Sequence, residues 1–271
     1  MYGNVWKYWE VNGLASVSVG IVTYNSENQI GLLLADLRRY CGKARVYVVD
    51  NHSSDGTVRL IREQFPEVTL LEQEENRGFG AGHNKVLPLL QTDYHVIVNP
   101  DIRLTSDAIG ALSAVLDAHR DVSMITPKIL NADGTEQFLP KRKPRVRYML
   151  AGRLEKFSKR MARLRDEYTM KNEETGKPME IEFSTGCFSM IRTDVFRKLG
   201  GFDERFFMYL EDADLTLRAR KFGKALFWPE VSVVHGWERS SAKKLKFLWI
   251  HMNSMKKFIK KWKNYTEGDI N

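Results

Sequence analysis

The sequence predicts an α/β fold built on a mostly parallel, doubly wound sheet, and three observations predict it. Apolar runs of strand length alternate with amphipathic helical stretches through the first half of the chain. The runs carry apolar residues without a polar break, the pattern of strands buried on both faces. Each run stops at a short cluster of polar and turn-forming residues, and in a parallel sheet with right-handed crossovers those clusters share one edge.

The elements follow in order. Residues 16–22 read as a first strand ending at Thr23-Tyr24-Asn25. Ser26 is placed to cap a helix that runs to Tyr40, with Ile30, Leu33, Leu34 and Leu37 on one face. Residues 45–49 are a second strand, which ends at Asp50-Asn-His-Ser-Ser-Asp-Gly56, a segment filled with turn formers. A helix over about 57–65 and a strand over 68–72 come next. Asn76-Arg-Gly-Phe-Gly-Ala-Gly82 is a glycine-rich turn opening another helix. Its spacing is neither a P-loop nor the dinucleotide fingerprint, so it reads either as a phosphate cradle or as tight helix packing. The central strand is His95-Val-Ile-Val98, and Asn99-Pro100 ends it. Proline cannot donate to a ladder and biases the residue before it away from the helical region. Asp101 therefore stands at the carboxyl end of a central strand, as a turn cap or as an oxygen ligand for a hard divalent ion.

A helix capped by Thr105 or Ser106 reaches about His119, and a short strand over 122–125 precedes Pro127. The alternation then breaks. Residues 138–182 are basic in their first half and acidic in their second, an inserted, partly helical flap or a pair of solvated charged helices. A strand resumes over 183–191, and Thr193 caps a short helix that Gly200-Gly201 ends. The apolar run 206–210 then leads directly into Glu211, Asp212 and Asp214 at the start of a helix. Acids suit a first helical turn, but behind an apolar run they also supply a general base facing a partly dry cleft. Residues 225–228 and 231–234 close the sheet as two strands, and His235 ends the second, as a structural residue or a ligand. In the tail, Leu245, Leu248, Trp249, Met252, Met255, Phe258, Ile259 and Trp262 keep helical spacing among lysines. That pattern fits an interfacial anchor or a helix packed on the domain.

Composition narrows the class. With 43% hydrophobic and 28% charged residues the chain is an ordinary globular protein rather than a disordered one. Its 271 residues allow one large domain; the expected division is a domain over 16–242, with the flap at 138–182, and a basic amphipathic helix over 243–271. No stretch approaches the roughly 18 uncharged apolar residues of a membrane span. The start of the chain, with Trp6, Tyr8 and Trp9 beside Lys7 and Glu10, lacks a signal-peptide core, so a cytosolic location is expected. Cys41 and Cys187 have no metal-type spacing and are expected to be buried free thiols. The net charge of +8 favours an anionic partner, whether nucleic acid, lipid or phosphorylated substrate.

Taken together, the motifs resemble those of the family 2 glycosyltransferases, which have the GT-A fold, over about residues 17–236. The resemblance is carried by Val22-Thr-Tyr-Asn25, Val49-Asp-Asn-His-Ser-Ser-Asp-Gly-Thr57, Asn76-Arg-Gly-Phe-Gly-Ala-Gly-His-Asn84, Asn99-Pro-Asp101 and Glu211-Asp-Ala-Asp-Leu215. The second last and the glycine-rich motif look most like the rhamnosyltransferase branch that builds bacterial cell-surface polysaccharides. The resemblance implies inverting transfer of a sugar from a nucleotide-diphosphate donor to a saccharide or lipid-diphosphate-linked saccharide. Rhamnose from dTDP-rhamnose is the first candidate, and another hexose from a UDP- or GDP-sugar the second. It further implies a nucleotide-sugar pocket formed by Thr23, Tyr24, Asn25, Asp50, Ser53 and Asp55, with Asn76, Gly78, Asn84, Asn99 and Pro100 lining it. Asp101 would hold Mg²⁺ or Mn²⁺ against the diphosphate, one acid where many relatives have two or three, and His235 would add a second contact. Asp212 would be the base, with Glu211 and Asp214 as the fallback choices. The basic flap and tail would give peripheral contact with the inner face of a membrane.

Three other readings fit less of the chain. A nucleotidyltransferase would carry a glycine-rich loop followed by Arg or Lys after the first strand, and none is present. A non-catalytic nucleotide-sugar binder has no use for the acid cluster. A nucleic-acid binder would not flank an acid-lined cleft with its basic segments.

Overall fold

The structure, a computed structural model, describes residues 15–139, 141–173, 175–236 and 245–263. Four strands, β1 (Val17–Thr23), β2 (Arg45–Asp50), β3 (Thr69–Glu72) and β4 (Tyr94–Val98), pair in parallel in the order β3-β2-β1-β4. Helices α1 (Glu27–Tyr40), α2 (Thr57–Gln64) and α3 (Phe79–Asn84) connect them. Alternate residues of each strand enter different cores, which is why the runs have no polar break. Ile21, Val48, Val96 and Val98 pack with Ile30, Leu33 and Leu34 of α1 and Ile61 of α2. Val22, Val49 and Ile97 pack on the opposite face.

The second half extends the same sheet. It comprises β5 (Ile102–Arg103), α4 (Ala108–Ala118), β6 (Val122–Leu130), α5 (Val146–Leu154), α6 (Lys159–Tyr168), β7 (Met179–Glu180), β8 (Phe188–Arg192), α7 (Thr193–Lys198), α8 (Glu211–Ala219), β9 (Lys224–His235) and α9 (Leu245–Trp262). The full order is β3-β2-β1-β4-β8-β6-β9-β5, with β7 alongside β9. β8 is antiparallel to both β4 and β6, so its N-terminal end lies at the carboxyl end of β4. That reversal carries the loop before β8 to the polar edge.

Several expected boundaries differ. The cap of α4 is Asp107, whose carboxylate accepts from Gly110 N at 2.8 Å, rather than Thr105 or Ser106. Ser26 occupies the position before α1, but its hydroxyl accepts from Tyr24 N instead of capping the helix. β6 continues through Pro127, and the two expected closing strands are one, β9. The reason is a shared irregularity: Pro127 pairs with Trp228 and Lys128 with Ser232, so residues 229–231 are stepped over where both prolines lie. The flap holds α5, α6 and β7.

The tail helix divides its apolar residues. Met255, Phe258 and Trp262 join Phe206, Leu210, Ala213 and Leu217 in a third core. Leu248, Trp249 and Met252 remain exposed, Trp249 at 68%. Both cysteines are buried free thiols. The aromatic start of the chain, with Trp6, Tyr8 and Trp9, lies outside the described residues. Among the described residues no helix is long and apolar enough to cross a membrane.

Candidate active site

The parallel register sets the first wall. Thr23 at the end of β1 lies beside Asp50 at the end of β2, and its Oγ1 donates to Asp50 Oδ1 at 2.9 Å. Ser53 adds two bonds, Oγ to Oδ1 at 2.5 Å and N to Oδ2 at 2.8 Å. A carboxylate has about four acceptor positions, so buried Asp50 retains one, on Oδ2. Asn25, at φ +52°, donates its N–H to Ser53 Oγ and accepts from Ser54 N, both at 2.8 Å. Asp55 accepts from Thr57 N and Oγ1 and from Glu27 N. Tyr24 is exposed. These side chains form one bonded rim at the ends of β1 and β2.

The glycine turn supports that rim. Asn76 Oδ1 accepts from Gly78 N at 3.0 Å. Gly78 has φ +93°, and a Cβ there would lie 2.1 Å from Phe207 O, so both its conformation and its surroundings demand glycine. Asn51, buried, donates to Gly78 O at 3.0 Å, while its Oδ1 has no partner among the described residues. Turn composition alone does not separate Asn51 from its neighbours in the sequence. Asn84 lies elsewhere in role. Its amide donates to Phe202 O and accepts from Phe202 N, so it clamps the loop after α7 instead of facing a ligand.

Beyond β4, Asn99 N donates to Cys187 O at 2.9 Å, and Asn99 and Pro100 are half-buried. Asp101 Oδ1 is buried without a hydrogen-bond partner, and Oδ2 lies 3.3 Å from His235 Nε2. Pairing of Ile102 with His235 brings the histidine there. Gln137 fixes it twice, with Oε1 3.0 Å from His235 Nδ1 and Nε2 donating to His235 O at 3.1 Å. Only the sheet register reveals Gln137. A carboxylate with one oxygen orphaned and the other beside an imidazole oriented by an amide fits a divalent cation. No group of three His, Cys, Asp or Glu among the described residues could hold a metal alone, so a cation here would take further oxygens from ligand or water.

The acid cluster at α8 separates into three environments. Asp212 Oδ2 accepts from Gly186 N at 2.9 Å and Oδ1 from Ala213 N at 2.9 Å. Gly186 immediately precedes Cys187, whose carbonyl is bonded to Asn99, so two backbone steps connect Asp212 to the strand end that carries Asp101. Burial raises the affinity of Asp212 for a proton, against the Gly186 N–H and the nearby Lys141 charge. Glu211 is buried with Oε2 unpartnered, and burial, then the Asp212 charge, push it well above the ordinary carboxylate range. Asp214 is fully buried and bonded to Arg218 Nε (2.8 Å), Lys261 Nζ (2.6 Å) and Trp262 Nε1 (2.8 Å). It anchors α9, which removes it from the candidate bases. In the sequence Lys141 is only one of the flap's many basic residues. Burial draws its ammonium down to about 8, with Asp212 opposing.

The family model described as Glycosyl transferase family 2 matches residues 18–200. The chain is 28% identical over 230 residues to the N-acetylglucosaminyl-diphospho-decaprenol L-rhamnosyltransferase of Mycobacterium tuberculosis, covering 79% of this chain and 74% of the relative. It is 26% identical over 225 residues to the low-salt glycan biosynthesis hexosyltransferase Agl10 of Haloferax volcanii, covering 82% and 66%. Against rhamnosyltransferase WbbL of Escherichia coli the figures are 23% over 235 residues, 81% and 83%. Among solved structures, Staphylococcus aureus TarS 1-349 with UDP-GlcNAc superposes with a TM-score of 0.63 at 18% identity, over 94% of this chain and 69% of that one. A Pyrobaculum calidifontis mannosyltransferase with GDP-Man and Mn²⁺ gives 0.59 at 17% identity, over 96% and 79%. These structures share the GT-A fold with this chain.

Proposed function

The chain belongs to glycosyl transferase family 2, and from that premise we propose that it transfers a hexose, with inversion, to a saccharide or lipid-diphosphate-linked saccharide. It is a nucleotide-sugar-dependent enzyme, and dTDP-rhamnose is the first donor to test. The observation that supports the reading best is the connection of Asp212, through Gly186 and Cys187, to the strand end carrying Asp101. The rhamnosyltransferase relatives support the choice of sugar.

The nucleoside lies against Thr23, Asn25 and Asp50, whose one remaining acceptor position suits a single donor such as a pyrimidine imide N–H. Asp101 and His235 hold Mg²⁺ or Mn²⁺, which, when bound, offsets negative charge on the departing nucleoside diphosphate. Asp212 takes the proton of the acceptor hydroxyl as that oxygen attacks the anomeric carbon opposite the leaving group. The Gly186 N–H and Lys141 favour its ionised form before the acceptor arrives, whereas burial and the Asp212 charge favour the protonated form of Glu211.

Thermal melts with dTDP-rhamnose, UDP-glucose, UDP-galactose and GDP-mannose, each with and without Mn²⁺, test this reading. A donor at 100 times its Kd stabilises the fold by about 2.7 kcal/mol. One donor should raise the melting temperature in Mn²⁺, and Asp101→Asn should abolish that rise. No response to any nucleotide sugar would overturn the proposal.

The acceptor side suits the inner face of a membrane. Phe157 at the turn between α5 and α6 is 85% exposed, next to exposed Lys156, Lys159 and Arg160. Trp249 and Met252 on α9 are exposed as well. Aromatic residues among lysines favour anionic lipid. Sedimentation with anionic vesicles should retain the protein, and Phe157→Ser with Trp249→Ser should release it.

A further inference from the structure

The flap contributes a cation that the chemistry above leaves without a ligand. Two backbone hydrogen bonds tie Lys141 to Phe183, at 3.2 and 3.0 Å. Its Nζ stands 5.0 Å from the centre of the Phe183 ring and 5.9 Å from that of Tyr168. The Arg165 guanidinium approaches the same Tyr168 ring at 5.7 Å, so two positive charges converge on one aromatic wall. Arg165 has an acid nearby, Glu155 at 3.8 Å. Lys141 has none in hydrogen-bond reach, and among the described residues no oxygen accepts from its ammonium. Aromatic faces compensate the charge but leave three strong donors unused. Asp212, the acid whose charge acts on it, already accepts from Gly186 and Ala213.

We propose that Lys141, with Arg165 on the same Tyr168 ring, binds a phosphoryl group of the acceptor, the diphosphate of a lipid-linked saccharide whose hydroxyl lies at Asp212. The inference rests on the glycosyltransferase reading and extends it to the acceptor. Two features favour the acceptor over the donor diphosphate. The donor has its own site at Asp101 and His235, which face each other at 3.3 Å. The thiol of Cys187 feels Asp101, Asp212 and Lys141 together, whereas the charges acting on Lys141 are Asp212, Arg165 and Cys187. Asp212 rather than Asp101 is therefore the acid whose charge acts on Lys141. A neutral saccharide would offer the Lys141 ammonium no charge; a diphosphate supplies both charge and acceptor oxygens.

Calorimetric titration with farnesyl diphosphate and with farnesol tests the site, on wild type, Lys141→Gln and Lys141→Arg, each saturated with dTDP and Mn²⁺. In the wild type the diphosphate should bind roughly tenfold or more tightly than the alcohol, the scale of one charge-assisted hydrogen bond. Lys141→Gln should erase that preference and Lys141→Arg restore most of it, while dTDP affinity stays constant across the three. Equal affinity for the two farnesyl probes in the wild type would overturn the inference. So would a Lys141→Gln variant that loses dTDP affinity and keeps the preference. Failure of dTDP to bind the wild type at all sinks the donor reading instead, and the farnesyl titration without nucleotide still reports on the anion site.

Discussion

Glu211, Asp212 and Asp214 occupy a single helical turn, and their neighbours give them three different environments. Asp212→Asn should leave donor affinity unchanged and lower turnover at least ~100-fold, the usual worth of a general base, in a steady-state assay. Asp214→Ala removes the buried carboxylate shared by Arg218, Lys261 and Trp262, leaving Lys261 only Asp203. It should cost about 3 kcal/mol in urea denaturation. Glu211→Gln imitates the protonated acid and should keep activity near the wild-type level. The sequence made the cluster visible but could not divide it. The dividing contacts come from Gly186, Lys261 and Trp262, whose proximity to α8 depends on the finished fold. Asp50 and His235 were legible because each closes a strand, and Asp101 because it follows one closely; a strand end has a fixed address in a parallel sheet.

At the level of elements, the approach to α8 is strained. Tyr209 and Leu210 sit at φ +69° and +68°, left-handed conformations that cost about 1–3 kcal/mol each in residues other than glycine. Phe207 O bonds to Phe79 N, and Ser254 Oγ donates to Met208 O, so neighbours on both sides hold the segment in place. Gly78→Ala would drive a methyl into Phe207 O and force an unfavourable φ. We expect it to lower the melting temperature and weaken donor binding together, and a variant with wild-type donor affinity would separate the turn from the pocket. Periodicity located β1 to β4 with α1 and α2, and the glycine-rich turn located α3, while the two-residue β5 went unread. Periodicity failed at β6 and β9, because proline normally ends a strand and only the paired irregularity of both strands lets them continue. It also misplaced the cap of α4, where three polar candidates stand in sequence and only Asp107 reaches Gly110 N.

Across the whole molecule, acid should act through two buried histidines. His83 and His95 both crowd Gly20 and lie in the interior. Burial pushes His95 down to about 3 and His83 well below its ordinary value. The unfolded chain takes up these protons near pH 6.5 while the native chain refuses them. Their contribution is therefore complete above about pH 6.5 and drains as pH falls. Glu211 has the opposite sign, since its raised value favours the native state below about pH 4.3 and that benefit fades as pH rises. Neither ring nitrogen of His83 has a hydrogen-bond partner among the described residues, so leucine can replace it without orphaning a polar group. Relative to wild type, His83→Leu should gain about 1.4 kcal/mol per pH unit as pH drops from about 6.5 to 5, read from urea midpoints. A constant difference would show that His83 takes no part.

The bonds from α9 to Asp214 also bear on how the protein is made. Trp262 follows Asp214 by 48 residues, and with Lys261 it supplies contacts that Arg218 alone does not. In a growing chain α8 is synthesised before those partners. The helix that carries Glu211 and Asp212 thus gains its full set of contacts only once the chain extends past Trp262.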